Sequence, residues 1–317
     1  MAILLNEINA KSKGGTELMC EGLAKYADPS LLEKVDIVPS RFRGHNPGKP
    51  TIYWAHDLPG DPESDCITKH SFEKLLFVSN WQMQNFQKHY GFPWYKAEVM
   101  LNAIEPIENV EDKYKDTETI RLIYHTTPHR GLEILIPVFE RLVETHKNTK
   151  LHLDVFSSFQ IYGWGERDRQ YEALFEKCRQ HPNITYHGFA DQDTVRAALA
   201  KAHIFVYPSI WLETSCRALM EAMSAQLICI HPNYGALFET GANFTWMYQW
   251  QDDRRDHAAA LYNVLSQAVP QVFSSSVENL ARSQKSYADL FYTWKNRGQQ
   301  WNTLLTTISN EYYRKSQ

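Results

Sequence analysis

Short apolar runs, each followed by a stretch of helical spacing, recur along this chain in two separate series, and that rhythm restricts the fold more than any other feature. The first series runs through Ile3–Ile8, Val35–Val38, Ile52–Trp54, Leu75–Val78 and Val99–Leu101. The second restarts at Ile120–Tyr124 and continues through Leu151–Phe156, Ile184–His187, Ile204–Tyr207 and Leu227–Ile230. Strands buried on both faces read as continuous apolar runs, and parallel neighbours need helical crossovers. Between the two series, residues 105–119 are polar, charged and opened by Pro106, as a linker would be. After Asp252 only helical patterns remain, the last around Tyr292 to Tyr313. The expectation is an α/β chain of two Rossmann-like, doubly wound domains facing each other across a cleft, with an all-helical tail. Its boundaries are 1–117, 118–290 and a C-terminal helical segment 291–317.

Helix faces support that division. Leu18, Met19, Gly22, Leu23 and Tyr26 share one face after a Gly14-Gly15 loop, and a further helix is expected from Trp81 to Tyr90. Leu132, Leu135, Ile136, Phe139, Leu142 and Val143 form another apolar stripe, with Pro137 inside it as an expected kink.

Composition narrows the class of partner. With 33 basic and 37 acidic residues among 317, the net charge is −4, which creates no general field for nucleic acid or anionic membrane. The five cysteines (Cys20, Cys66, Cys178, Cys216, Cys229) are odd in number and widely scattered, so reduced thiols fit better than a disulfide framework or a zinc site. No run approaches the roughly 18 apolar residues of a membrane span. The N-terminal Ala2-Ile3-Leu4-Leu5 lacks the basic head and long apolar middle of a secretory signal. A soluble, cytoplasmic protein is expected.

Four constellations carry possible chemistry. In Tyr207-Pro208-Ser209-Ile210-Trp211-Leu212-Glu213-Thr214-Ser215-Cys216, a strand ends in a turn, and Thr214 or Ser215 is placed to cap the helix that follows. Glu213 falls in the loop, while Glu221 falls inside an otherwise apolar helix, where a carboxylate needs a hydrogen-bonded partner. A helix N-terminus attracts anions, and two carboxylates grip vicinal hydroxyls, so the pair suits a ligand that joins a diphosphate to sugars. In Tyr124-His125-Thr126-Thr127-Pro128-His129-Arg130-Gly131, hydroxyls and a guanidinium follow a strand, a set matched to phosphate oxygens.

The remaining features are more ambiguous. Gly14 and Gly15 either let a ligand approach the backbone or simply make a turn. His56, at the end of a strand, either faces the cleft or is satisfied within its loop. Asp191-Gln192-Asp193 matches a metal-binding pattern formally but reads better as a helix cap, so no metal ligand is assigned. Trp54, Trp81 and Trp94 serve either as core or as surfaces for sugar rings.

Taken in order, GGTE (14–17), FVSNWQ (77–82), LNAIEP (101–106), YHTTPHRGLEIL (124–135), HGFADQDT (187–194) and YPSIWLETSCRALMEAM (207–223) resemble retaining glycosyltransferases of the GT-B fold, family-4-like, in group 1. The resemblance covers most of the chain to about residue 240. It implies two Rossmann-like domains, the first for the acceptor and the second for the donor, with the last helix crossing back to the first. Glu221 would hold the nucleotide's ribose, and Glu213 would sit beside the transferred sugar. Arg130 would grip the diphosphate, with Gly15 beside it. Amides near Thr214, Ser215 and Cys216 would touch the sugar, and His56 resembles the acceptor-domain histidine near it. The chain departs from the family at His125 and Arg130, where the family commonly has arginine and lysine, and at Gln226, where it has glycine.

The expected activity is transfer of a hexose-type sugar from a nucleoside diphosphate (UDP or GDP) to a glycan, lipid or other hydroxyl acceptor, with retention and without a cofactor or metal. Three rivals differ in class: a nucleotide-sugar binding protein without catalysis, a metal-dependent transferase using Asp191 and Asp193, and a DNA-modifying glucosyltransferase. Net acidity argues against the last.

Overall fold

The computed structural model describes residues 14–315, apart from 43, 45, 47, 63, 111, 112, 116 and 117. The strand expected at Ile3–Ile8 lies outside the described residues. The chain divides into two compact units, one of residues up to Ile104 together with Phe291 onward, the other of Glu105–Leu290.

In the first unit, β1 (Asp36–Pro39), β2 (Thr51–Ala55), β3 (Lys74–Phe77) and β4 (Ala97–Val99) pair in that order, all parallel. Side chains alternate between the sheet's faces with period two. Ile52 and Trp54 accordingly join one core with Met19, Leu23, Trp294, Trp301 and Leu305. Tyr53 and Ala55 join another with Phe77, Phe86 and Phe92. The helix Trp294–Lys315 covers the first of these faces beside Gly15–Tyr26. Gly22 makes that packing feasible, because a Cβ there would lie 2.0 Å from the Trp294 ring.

The second unit holds six parallel strands: β5 (Thr119–Tyr124), β6 (Lys150–Val155), β7 (Ile184–Tyr186), β8 (Ile204–Val206), β9 (Ile228–Pro232) and β10 (Trp246–Tyr248). Their spatial order is β10-β9-β8-β5-β6-β7. Strand β10 has no counterpart in the sequence reading; three residues on a sheet edge leave too short a pattern to see. The helix Leu132–Thr145 buries Leu132, Leu135, Ile136, Phe139 and Leu142 as expected, and runs on through Pro137, which faces outward.

The segment read as a linker belongs structurally to the second unit, so the division falls at 104/105 rather than 117/118. Its apolar residues explain this: Ile107, Val110 and Tyr114 are buried. Its backbone is also tied down. The Ile107 N–H donates to Ser224 Oγ at 2.8 Å, and Arg196 donates to the Glu105 and Pro106 carbonyls. Several of its groups close the C-terminal end of the helix Arg217–Ser224. Lys113 donates to the Ala225 carbonyl and Tyr114 to that of Gln226. Lys285 binds the Ser224 carbonyl at 2.8 Å and the Ile107 carbonyl at 2.6 Å.

Candidate functional site

Strand order in the second unit reverses at β5. The chain runs outward through β6 and β7, then returns to place β8 on the other side of β5. In open parallel sheets such a reversal opens a crevice beyond the carboxyl ends of the strands. The segments entering it are residues 125–131 after β5, 156–171 after β6 and 207–216 after β8.

Two glycines hold these loops together. Gly131, at φ +114°, comes so close to the Pro208 carbonyl that a Cβ would lie 2.0 Å from its oxygen. Gly235, at φ +61°, likewise backs onto Glu213, whose carbonyl accepts the Ala236 N–H at 2.8 Å.

Arg130 and Glu213 meet where the β5 and β8 loops converge. One guanidinium nitrogen donates to Glu213 Oε1, and the other lies 3.4 Å from the Tyr162 hydroxyl. The guanidinium carbon sits 5.8 Å from the Trp211 ring. Burial disfavours the Arg130 charge, and the Glu213 carboxylate more than offsets it. Glu213 is buried, and its Oε1 also accepts from the Tyr207 hydroxyl. Burial, reinforced by Glu213, raises the Tyr207 pKa well above its ordinary value, so that hydroxyl remains a donor.

Glu221 is buried on the helix Arg217–Ser224, but it does not await a ligand for its only partner. Arg217, one turn earlier, lies 3.2 Å from its Oε1, and Gln192 Nε2 donates to the same oxygen at 3.1 Å. Both bonds fall on Oε1. His125 packs against Phe205 with ring centroids 5.1 Å apart, and burial lowers its pKa despite the Glu221 carboxylate, leaving a neutral ring. The expected cap at Thr214 or Ser215 is displaced: the helix starts at Arg217 with Cys216 as its N-cap, and no side chain caps it. Burial raises the Cys216 pKa well above its ordinary value, so the thiol stays neutral beside the two glutamates.

Around these groups lie buried polar atoms with no hydrogen-bond partner: His125 Nε2, Thr126 Oγ1, Thr127 Oγ1, His129 Nδ1, Arg130 Nε, Ser157 Oγ and Ser215 Oγ. Most buried polar atoms in proteins are paired, so a concentration of unpaired ones at a single sheet edge needs an explanation. A ligand rich in oxygen supplies one.

Gly14, Gly15 and His56 lie in the first unit. Gly14 precedes the helix Gly15–Tyr26 with ordinary extended dihedrals, and no atom lies within 4 Å of where a Gly15 Cβ would be. The His56 backbone N–H donates to Ser40 Oγ at 2.9 Å, its ring packs 4.4 Å from Trp54, and burial pushes its pKa down to about 3. Trp54 is core, whereas Trp94 is exposed. Asp191 caps the helix Gln192–Lys201 by accepting the Thr194 N–H at 2.7 Å.

Residues 103–245 match the family described as glycosyl transferases group 1. The matched region contains every site residue of the second unit. Over 125 residues the chain is 28% identical to the phosphatidylinositol N-acetylglucosaminyltransferase gpi3 subunit of Schizosaccharomyces pombe, covering 39% of this chain and 25% of that one. The chain therefore spans about a quarter of that relative's length. Among solved structures, a glycosyltransferase from Rickettsia africae has a TM-score of 0.68 at 16% identity, over 95% of this chain and 84% of that one. Anabaena HepE in complex with UDP has a TM-score of 0.63 at 14% identity, over 93% of this chain and 77% of that one. These likenesses agree with the expected α/β architecture of two parallel sheets, the GT-B fold.

Several site residues were not singled out from the sequence. Arg217 had a legible signal, its position four residues before Glu221. Tyr207 stood at a strand end with nothing to mark its role. Tyr162 and Ser157 lie in a long loop after β6 that carries no motif.

Proposed function

We propose that this chain is a retaining glycosyltransferase that moves a sugar from a UDP- or GDP-linked donor to an acceptor hydroxyl without a metal ion. The observation that carries this reading is the apposition of Arg130 and Glu213 at the strand-order reversal, amid buried hydroxyl and imidazole atoms that lack partners. Breaking the bond between the anomeric carbon and the diphosphate oxygen places negative charge on the leaving group. Arg130, through its Nε and the nitrogen near Tyr162, is available to that charge while Tyr207 keeps Glu213 in place. The amides opening the helix Arg217–Ser224 supply further positive potential. Such preorganised donors account for much of the catalysis in charge-developing reactions.

Glu221, with both its protein bonds on Oε1, offers Oε2 to the ribose diol. Glu213 offers its second oxygen to a sugar hydroxyl. Thr126 and Thr127 are donors for phosphate oxygens. Engagement of Asp191 as a helix cap favours the metal-free reading over one using Asp191 and Asp193. The UDP complex of HepE, a protein of the same fold, supports a nucleotide-sugar donor.

The test is to incubate the protein with UDP-glucose, UDP-N-acetylglucosamine and GDP-mannose, with and without EDTA. Nucleoside diphosphate release and the anomeric configuration of any product are then followed. Release that survives EDTA, with retention, is expected. Failure of every nucleoside diphosphate and nucleotide sugar to bind by calorimetry rejects the reading. Binding without release selects a nucleotide-sugar binding protein, a reading favoured by one observation: His125 is neutral where the family has a cation.

A further inference from the structure

The connection between β6 and the helix Glu172–Gln180 spans residues 156–171, whereas such connections usually run about 2–6 residues. It is not a slack loop. Asp168 accepts the Ser158 hydroxyl at 2.5 Å and the Phe159 N–H at 2.8 Å, which closes the segment on itself. Phe159 stacks on His129 with centroids 5.1 Å apart, and His129 meets Trp211 edge-on at 5.0 Å. The loops after β5, β6 and β8 are thereby joined through aromatic contacts.

Onto this fixed base the chain places two large aromatic rings facing solvent. Trp164 is 42% exposed and Trp211 45% exposed, the latter 5.8 Å from the guanidinium of the Arg130–Glu213 ion pair. Tyr162 links them to it: its hydroxyl lies 3.4 Å from Arg130, and its ring lies 5.2 Å from that of Trp164. Arg167 stacks over the Trp164 ring at 4.4 Å, which steadies the indole in the exposed position. Earlier in the same loop lies a further unpaired group. Ser157 is 2% exposed, and its Oγ has no partner.

We infer that Tyr162, Trp164 and Trp211 form a saccharide-binding frame that receives the hexopyranose of the donor and selects among donor sugars. This rests on the nucleotide-sugar reading above and extends it to a named subsite. A pyranose presents C–H faces suited to an aromatic plane, and hydroxyls around its rim that need polar partners. The frame offers both: half-exposed indole rings, and, on the loops that carry or touch them, the unpaired Ser157 Oγ and His129 Nδ1 and the Glu213 carboxylate. Position separates sugar from base. The frame stands at the Arg130–Glu213 end of the site, whereas Glu221, assigned to the ribose, lies farther on, within the helix Arg217–Ser224.

The test compares wild type, Trp164→Ala, Trp164→Phe, Trp211→Ala and a first-unit control, Trp94→Ala. Calorimetry gives the affinity for UDP, GDP, UDP-glucose, UDP-N-acetylglucosamine and GDP-mannose. Saturation-transfer NMR follows methyl glucoside, methyl mannoside and N-acetylglucosamine alone. Trp164→Ala is expected to lower the affinity gained from the sugar about fivefold while leaving UDP and GDP within about twofold, with Trp164→Phe restoring most of the gain. Trp211→Ala should act in the same direction and Trp94→Ala should have no effect. An unchanged sugar contribution in Trp164→Ala and Trp211→Ala overturns the frame. If wild type binds no nucleotide at all, the donor reading falls by itself. The free glycosides then decide: saturation lost in Trp164→Ala upholds the frame, and saturation absent or retained overturns it.

Discussion

Gly131 stands against the carbonyl of Pro208 with no room between them for a side chain. This single approach joins the loop that carries Arg130 to the loop that carries Glu213. Gly131→Ala would meet both the clash and a left-handed φ of +114°, each unfavourable to an L side chain. We expect a stability loss of at least about 1–3 kcal/mol, together with loss of nucleoside diphosphate release. Thermal unfolding and turnover measured side by side check this; wild-type values for both would show that the two loops do not depend on the contact.

Arg130→Ala removes the cation and leaves buried Glu213 with Tyr207 as its remaining side-chain donor among the described residues. Losing one preorganised donor of this kind typically costs about 2.7–4 kcal/mol of barrier, so turnover should fall by roughly two orders of magnitude. Steady-state release of nucleoside diphosphate measures it. Activity within twofold of wild type would remove Arg130 from the reaction.

Gln226 adopts φ +58° just past the helix Arg217–Ser224, a left-handed position that suits glycine, and its buried Oε1 has no partner. Its backbone bonds to Met223 and Tyr114 do not need the side chain. Gln226→Gly should therefore stabilise the protein by about 1 kcal/mol, raising Tm by about 2–4 °C. A lower Tm in calorimetry would mean that the glutamine's packing outweighs its backbone cost.

Stability should fall as pH drops below about 6.5. His231 is fully buried between the Pro232 carbonyl and Thr245, and burial pushes its pKa down to about 4. His129 is pushed down to about 4 as well, by burial and then by Arg130 and Arg167. The unfolded chain takes up these protons near pH 6.5 and the folded chain does not. These histidines contribute no pH dependence above about pH 7, and stability declines as pH drops from about 6.5 towards 4, with His231 alone contributing a slope near 1.4 kcal/mol per unit. Calorimetric Tm values between pH 8 and 4.5 follow this. A flat profile down to pH 5 would contradict it.

The strands and the Arg130–Glu213 pairing were foreshadowed in the sequence for a common reason. Both depend on position along parallel strands, and apolar runs mark where those strands end. The partners of the pair were hidden because they are set in three dimensions. Tyr207 becomes a donor only when its strand end turns back over Glu213, and Tyr162 reaches Arg130 only through a loop with no periodic pattern. Glu221 was legible only in part. A carboxylate in an apolar helix did need a partner, but the need was met locally by Arg217 one turn earlier and by Gln192. Residues 105–115 misled because polar composition concealed three well-spaced apolar anchors.

The side-chain nitrogens of Lys113 and Lys285 close the rear of the helix whose front opens on the site. Cutting the chain where its polarity suggests, at residue 118, would discard Lys113, Tyr114 and Ile107 together. The orphaned carbonyls of Ala225 and Gln226 would unravel the helix from behind, although no residue of the reaction centre had been touched. A fragment that keeps the second unit intact begins at or before residue 105.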